Sequence, residues 1–194
     1  MRPRFAILAL VGVLISFPTG CGRDRPSATL PGDTARPELA APAAAQLTDG
    51  NIVSLISDAH QGEINLARAA QLRAVSRDVK EFAARMAREH SEMHRELQSL
   101  ATRRNIVLQS PLGETRSYEA VAARVDSVLR ESGTQFDAQY MIAQVASHRQ
   151  MLEDLNRLGS AARDSDLRVL IRRTIPQTQL HLDRAIDLGR ELPR

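Results

Sequence analysis

Between Val79 and Leu100 the chain reads VKEFAARMAREHSEMHRELQSL. Val79, Phe82, Met86, His90, Met93, Leu97 and Leu100 recur at intervals of three and four, the spacing that lines one face of an α-helix. Most of the intervening positions are charged or polar, so the segment is amphipathic, with one side to bury. Ser76 offers an N-cap, Asp78 complements the helix dipole in the first turn, and Asn105 is a natural stop. The pattern predicts a helix over about 77–104. One member of its apolar stripe does not belong there by hydropathy: His90.

Three more segments have the same design. Ile52, Ile56, Ala59, Glu63, Leu66 and Ala70 form the stripe of a helix over about 48–75, with Thr48 or Asp49 as cap. Asp137, Met141, Gln144, His148, Met151 and Leu155 form that of a helix over about 134–158, closed by Gly159-Ser160. Leu167, Ile171, Thr174, Thr178, His181, Ala185 and Leu188 form that of a helix over about 165–191. Pro176 lies inside the last one and deprives the Arg172 carbonyl of its donor, which predicts a kink. A shorter helical piece over about 117–131 carries Val121, Val125, Val128 and Leu129. No strand-like alternation of useful length and no strong internal repeat stands out.

Four long amphipathic helices predict an all-α four-helix bundle. The first two helices and the last two are joined tightly, while roughly 30 residues carrying the short helix separate the two pairs. One long crossover between two helical hairpins is ferritin-like connectivity.

Each long helix thus bears one ionisable side chain near mid-length on its apolar face: Glu63, His90, His148 and His181. Buried imidazole and carboxylate cost several kcal/mol unless hydrogen-bonded, paired or bound to a metal. Helices of similar length with aligned ends bring their midpoints to one level. The four residues are therefore candidate ligands of a mononuclear site for Zn, Cu, Fe or Mn. The alternative is a hydrogen-bonded polar layer that sets bundle register. A dinuclear iron centre of the ferritin type is excluded, because Ala87, Val145 and Thr178 stand three residues before the histidines where Glu-x-x-His would be needed.

The neighbours read more plainly. His60, one turn before Glu63, is expected to be solvated or to orient Glu63, and His94 to be a half-exposed surface residue. Asp137 suits a helix N-terminal cap. Met86, Met93, Met141 and Met151 all lie on the stripes, as adaptable core fillers or as soft donors that would suit copper.

The N-terminus carries an address. Arg2 and Arg4 precede the apolar run FAILALVGVLISF, Phe5–Phe17, which is too short to span a bilayer but suits a signal peptide over 1–20. Cys21, the single cysteine, follows Gly20 as in a bacterial lipoprotein cleavage site, although Pro18 departs from the usual pattern. Simple secretion is the alternative to lipidation. The Pro- and Ala-rich 21–46 segment reads as a tether able to reach roughly 75 Å if extended, and 47–192 as the bundle domain. A lipid-anchored protein on the periplasmic or extracellular side of the envelope, at the outer membrane, is expected. Without a disulfide, stability must come from packing. Removing the signal lowers the formal net charge from +3 to about +1. With no basic stripe and no Trp, nucleic acid is not expected as a partner.

Three spaced motifs, FAxRMxxEH (Phe82–His90), FDxxYMxxxVxxH (Phe136–His148) and IPxTxxHL (Ile175–Leu182), resemble those of the bacterial domain of unknown function four-one-four-two. The resemblance covers about 47–188. It implies a ferritin-like bundle, an outer-membrane or secreted protein, and polar motif positions at Glu63, His90, His148 and His181. It implies no activity. An enzyme is disfavoured by the chain itself, which has no nucleophile–base pair, phosphate loop or cofactor fingerprint.

Overall fold

A computed structural model describes residues 47–110 and 125–192. The signal segment, Cys21 and the tether, and most of the crossover helix, lie outside the described residues. Four long helices make up the described domain: α1 Asp49–Arg73, α2 Arg77–Arg103, α3 Gly133–Ala161 and α4 Ser165–Glu191. A short helical turn, 125–130, is what is described of the crossover helix. Among the described residues no strand is present and no helix is long and apolar enough to cross a membrane.

The caps explain the boundaries. Thr48 and Asn51 form a reciprocal capping box at the start of α1. The Ser76 hydroxyl accepts from Val79 N at the start of α2, and the Asp164 carboxylate accepts from Asp166 N and Leu167 N at the start of α4. Asn105 ends α2 in the left-handed region at φ 52°, with Ile106 N donating to the Ala101 carbonyl, a Schellman closure. One expectation needs correction. Gly159-Ser160 does not close α3, which runs on to Ala161; Gly159 instead lets α4 come close, since a Cβ there would stand 3.1 Å from Ile171 Cγ2. Pro176 lies inside α4.

Helix direction follows from the two apolar cores. One joins the C-terminal half of α1, the N-terminal half of α2, the N-terminal half of α3 and the C-terminal end of α4, through Leu66, Phe82, Met86, Phe136, Tyr140 and Leu188. The other joins the opposite halves through Ile52, Leu97, Leu100, Leu155, Leu167 and Ile171. α1 and α4 therefore run one way and α2 and α3 the other. The connection from α2 to α3 leaves one end of the bundle and re-enters at the other, the ferritin-like crossover. α1 packs along α2 and α3 along α4, and the hairpins meet through α2 with α4 and α1 with α3.

An internal repeat, not apparent from the sequence, becomes visible in the fold. Both carboxylate oxygens of Asp137 in α3 accept from Val75 N and Ser76 N in the α1–α2 turn, at 3.1 and 2.7 Å. Both oxygens of Asp49 in α1 accept from Arg163 N and Asp164 N in the α3–α4 turn, at 2.8 and 3.0 Å. One shift of 88 positions (137 − 49, 164 − 76) relates the two arrangements, and it carries His60 onto His148 (148 − 60). The same shift also pairs buried Ile52 with Tyr140, Ala67 with Leu155, Val79 with Leu167, Phe82 with Leu170 and Leu100 with Leu188. The hairpins are thus related by a pseudo-twofold axis that exchanges the two cores and passes between them.

Candidate metal centre

Between the two cores lies a polar layer. His60, Glu63, His90, Gln144, His148, Thr178 and His181 are all buried there, flanked on each side by apolar residues. A layer at this depth keeps water away from any charge within it, so its hydrogen bonds decide what it can hold.

Three histidines converge. One ring nitrogen from each of His90, His148 and His181 lies within 4.8 Å of the other two. The ring centroids of His90 stand 5.5 Å from His148 and 5.2 Å from His181, and those of His148 and His181 are 5.3 Å apart. The shortest approach is His90 Nε2 to His148 Nε2, 3.4 Å. That is long for a hydrogen bond but close to the edge, about 3.3–3.4 Å, of a tetrahedron of nitrogens about 2.0–2.1 Å from a central ion.

Each ring is held by its outer nitrogen. His148 Nδ1 donates to the Gln144 carbonyl at 2.9 Å, one turn back on the same helix. His90 Nδ1 faces His60 Nδ1 at 3.0 Å. His181 Nε2 donates to Glu89 Oε2 at 2.6 Å, and Gln177 Nε2 donates to the same oxygen at 2.6 Å. The Nδ1 of His181 is buried with no hydrogen-bond partner among the described residues.

Because Gln144 O can only accept, the His148 proton sits on Nδ1 and its Nε2 carries a lone pair. His90 then has two settings. With its proton on Nε2 it completes a chain of hydrogen bonds from His60 through His90 to His148. With its proton on Nδ1, donated to His60, it turns a second lone pair toward that of His148.

Burial favours the neutral form of His60, His90 and His181. Burial, reinforced by the neighbouring histidines, lowers His60 from 6.5 to about 4 and holds His90 well below the ordinary histidine value. Burial also lowers His181, although its bond to Glu89 opposes the shift. Neutral imidazole is the form that binds transition metals.

Of the four residues singled out from the sequence, three meet in this group. Glu63 is buried in the same layer but outside the triad: its Oε2 accepts from Gln144 Nε2 at 2.8 Å, and it lines a mostly apolar pocket of about 110 Å³ between α1 and α3. His60, expected to be solvated or to orient Glu63, is instead 2% exposed and sits against His90. No sequence signal marks it, since the 88-position relation that pairs it with His148 becomes visible only in the fold. Glu89 and Gln177 were missed because both stand at the edge of their helix stripes. They meet His181 only because α2 packs on α4, beside a surface cleft of about 300 Å³ lined by Arg85, Met86, Gln177 and His181.

His94 is half-buried, as expected, with its Nδ1 unpartnered among the described residues. Asp137 does cap a helix N-terminus, but that of α2 rather than its own. Met86, Met141 and Met151 fill the apolar cores.

Fold and site together define a ferritin-like helical bundle with a buried histidine cluster. The chain belongs to the family described as Domain of unknown function (DUF4142), whose model matches residues 34–188. Among solved structures it is similar in fold to CopM in the Cu(II)-bound form, with a TM-score of 0.58 and 13% sequence identity over 75% of this chain and 98% of that one. No curated protein matches it significantly.

Proposed function

We propose that this domain binds one transition-metal ion in the cell envelope, through a ring nitrogen each from His90, His148 and His181, to store, buffer or sense it. The observation that carries the reading is the 3.4 Å approach of two imidazole nitrogens inside a triad whose outer nitrogens are already held. Outer-nitrogen bonds of this kind orient histidine ligands and make them more basic. CopM, with the same fold, was solved with Cu(II), and copper stands beside zinc, iron and manganese as a candidate. His90 and His148 are 0% exposed, which suits holding an ion better than turning over a substrate. The N-terminal segment would place this bundle outside the cytoplasm, tethered through a lipid on Cys21.

Elemental analysis of protein purified without chelator is the test. About one ion per chain that is lost in His148→Ala is expected. Sub-stoichiometric metal unaffected by His148→Ala overturns the reading.

A second reading rests on the other setting of His90. The chain His60–His90–His148–Gln144 satisfies its hydrogen bonds without an ion, and the layer would then serve only to fix helix register. It requires that zinc, copper, iron and manganese leave the melting temperature unmoved.

A further inference from the structure

The partners of His181 differ in kind from those of the other two rings. His148 is held by a backbone carbonyl and His90 by another imidazole, both neutral, whereas His181 is held by a carboxylate. Glu89 is 23% exposed at its side chain, with Arg85 and Arg88 at 4.0 and 3.8 Å from Oε1. It therefore stands on the outer side of the ring, where the charge is partly solvated and balanced. An ionised carboxylate accepts but cannot donate, so the 2.6 Å contact with Glu89 places the His181 proton on Nε2; the Gln177 amide nitrogen, 3.0 Å from that same Nε2, then stands beside it as a second donor to Glu89 rather than as its partner. The lone pair of the neutral ring is left on Nδ1, and that atom is buried with no partner among the described residues. An unsatisfied buried acceptor is destabilising, and an ion would satisfy it.

Resting on the metal reading above, we infer that Glu89 is a positioning residue of the centre: it fixes His181 as an Nδ1 ligand and supplies a negative charge one bond behind it. Gln177, donating to the same carboxylate oxygen at 2.6 Å, holds Glu89 in place. The centre is then asymmetric, with Nδ1 ligation by His181 and Nε2 ligation by His148. The carboxylate behind a neutral imidazole raises its donor strength and offsets part of the charge of a divalent ion in a dry layer.

The test uses the full chain loaded with Zn(II). Long-range ¹H–¹⁵N correlation spectra distinguish histidine bound through Nδ1 from histidine bound through Nε2. The expected result is one Nδ1-bound ring that disappears in His181→Ala, and an Nε2-bound ring that disappears in His148→Ala. Glu89→Ala is expected to weaken zinc about 10–100-fold. Glu89→Gln, whose amide oxygen still accepts from Nε2, should recover part of that loss with the same Nδ1 signature, which a purely structural role for Glu89 would not produce. Zinc bound at the triad with His181 ligating through Nε2, or undiminished affinity in Glu89→Ala, overturns the inference and leaves the metal reading standing. Failure of the wild-type chain to bind zinc, copper, iron or manganese overturns both.

Discussion

Asp49 and Asp137 hold the two hairpins together by the same device used twice. Each extends from the first turns of one hairpin's leading helix and takes two backbone N–H groups from the tight turn of the other. Those N–H groups open helices α2 and α4, where amide donors lack intrahelical partners and a carboxylate is favoured. The pair fixes the axial register of one hairpin against the other. That register sets the level at which the histidines meet.

Replacing these carboxylates should cost unequal amounts. Asp137 is 1% exposed, and Asp137→Ala leaves two amides without acceptors, for an expected loss of about 2–3 kcal/mol. Asp49 is more accessible to water, which can replace it, so Asp49→Ala should cost less. Urea unfolding of the two variants at pH 7 measures the difference; equal losses would contradict the burial argument.

Acid should destabilise the metal-free protein in a defined window. Above pH 6.5 His60 is neutral whether the chain is folded or not. Below it the unfolded chain takes up a proton that the folded chain refuses until about pH 4. Stability is therefore present above 6.5 and falls as pH drops toward 4, by about 3 kcal/mol from His60 alone, with His90 adding in the same direction. Chemical denaturation of apo protein at intervals between pH 7.5 and 4 reads this slope. His60→Ala should flatten it, and should also weaken zinc about 10–100-fold by removing the partner of His90 Nδ1.

Metal should act as a folding ligand. At a free concentration about 100 times the dissociation constant, zinc should raise the stability of the wild-type chain by about 2.7 kcal/mol. Thermal melts with and without zinc check this, and His90→Ala and His148→Ala should each show no rise.

Gly50 is required by a close approach rather than by a turn. A Cβ there would overlap the carbonyl of Val107, whose segment crosses the start of α1 and bonds through Gln109 N to the Gly50 carbonyl at 3.3 Å. Alanine normally favours a helix over glycine by about 1 kcal/mol. Here Gly50→Ala should instead destabilise by about 1–3 kcal/mol, since backbone must move to admit it. Urea denaturation gives the sign.

The helices were legible because each carries its own signals. Thr48 and Ser76 cap from within three residues, Asn105 stops α2 by its own conformation, and the apolar stripes repeat at helical spacing. His90, His148 and His181 were legible for the same reason: an imidazole on an apolar stripe is a local anomaly. The long crossover, read from spacing alone, also settled the pairing of the hairpins.

Other features depend on which residues the packing brings face to face, and no local pattern encodes that. His60 lies one position from Ala59 on a helix whose buried face is wide enough to take both His60 and Glu63, so its phase was ambiguous until α2 lay against it. Glu89 stands beside His90 in the chain yet serves His181, 92 positions away. Asp137 caps a helix other than its own, and Gly159 continues a helix where it was expected to end one. Helix formation and helix faces are short-range properties, set by hydrogen bonds and side chains within one or two turns. The choice of which three nitrogens converge, and which partner orients each, belongs to the axial register between hairpins, and only the folded bundle decides it.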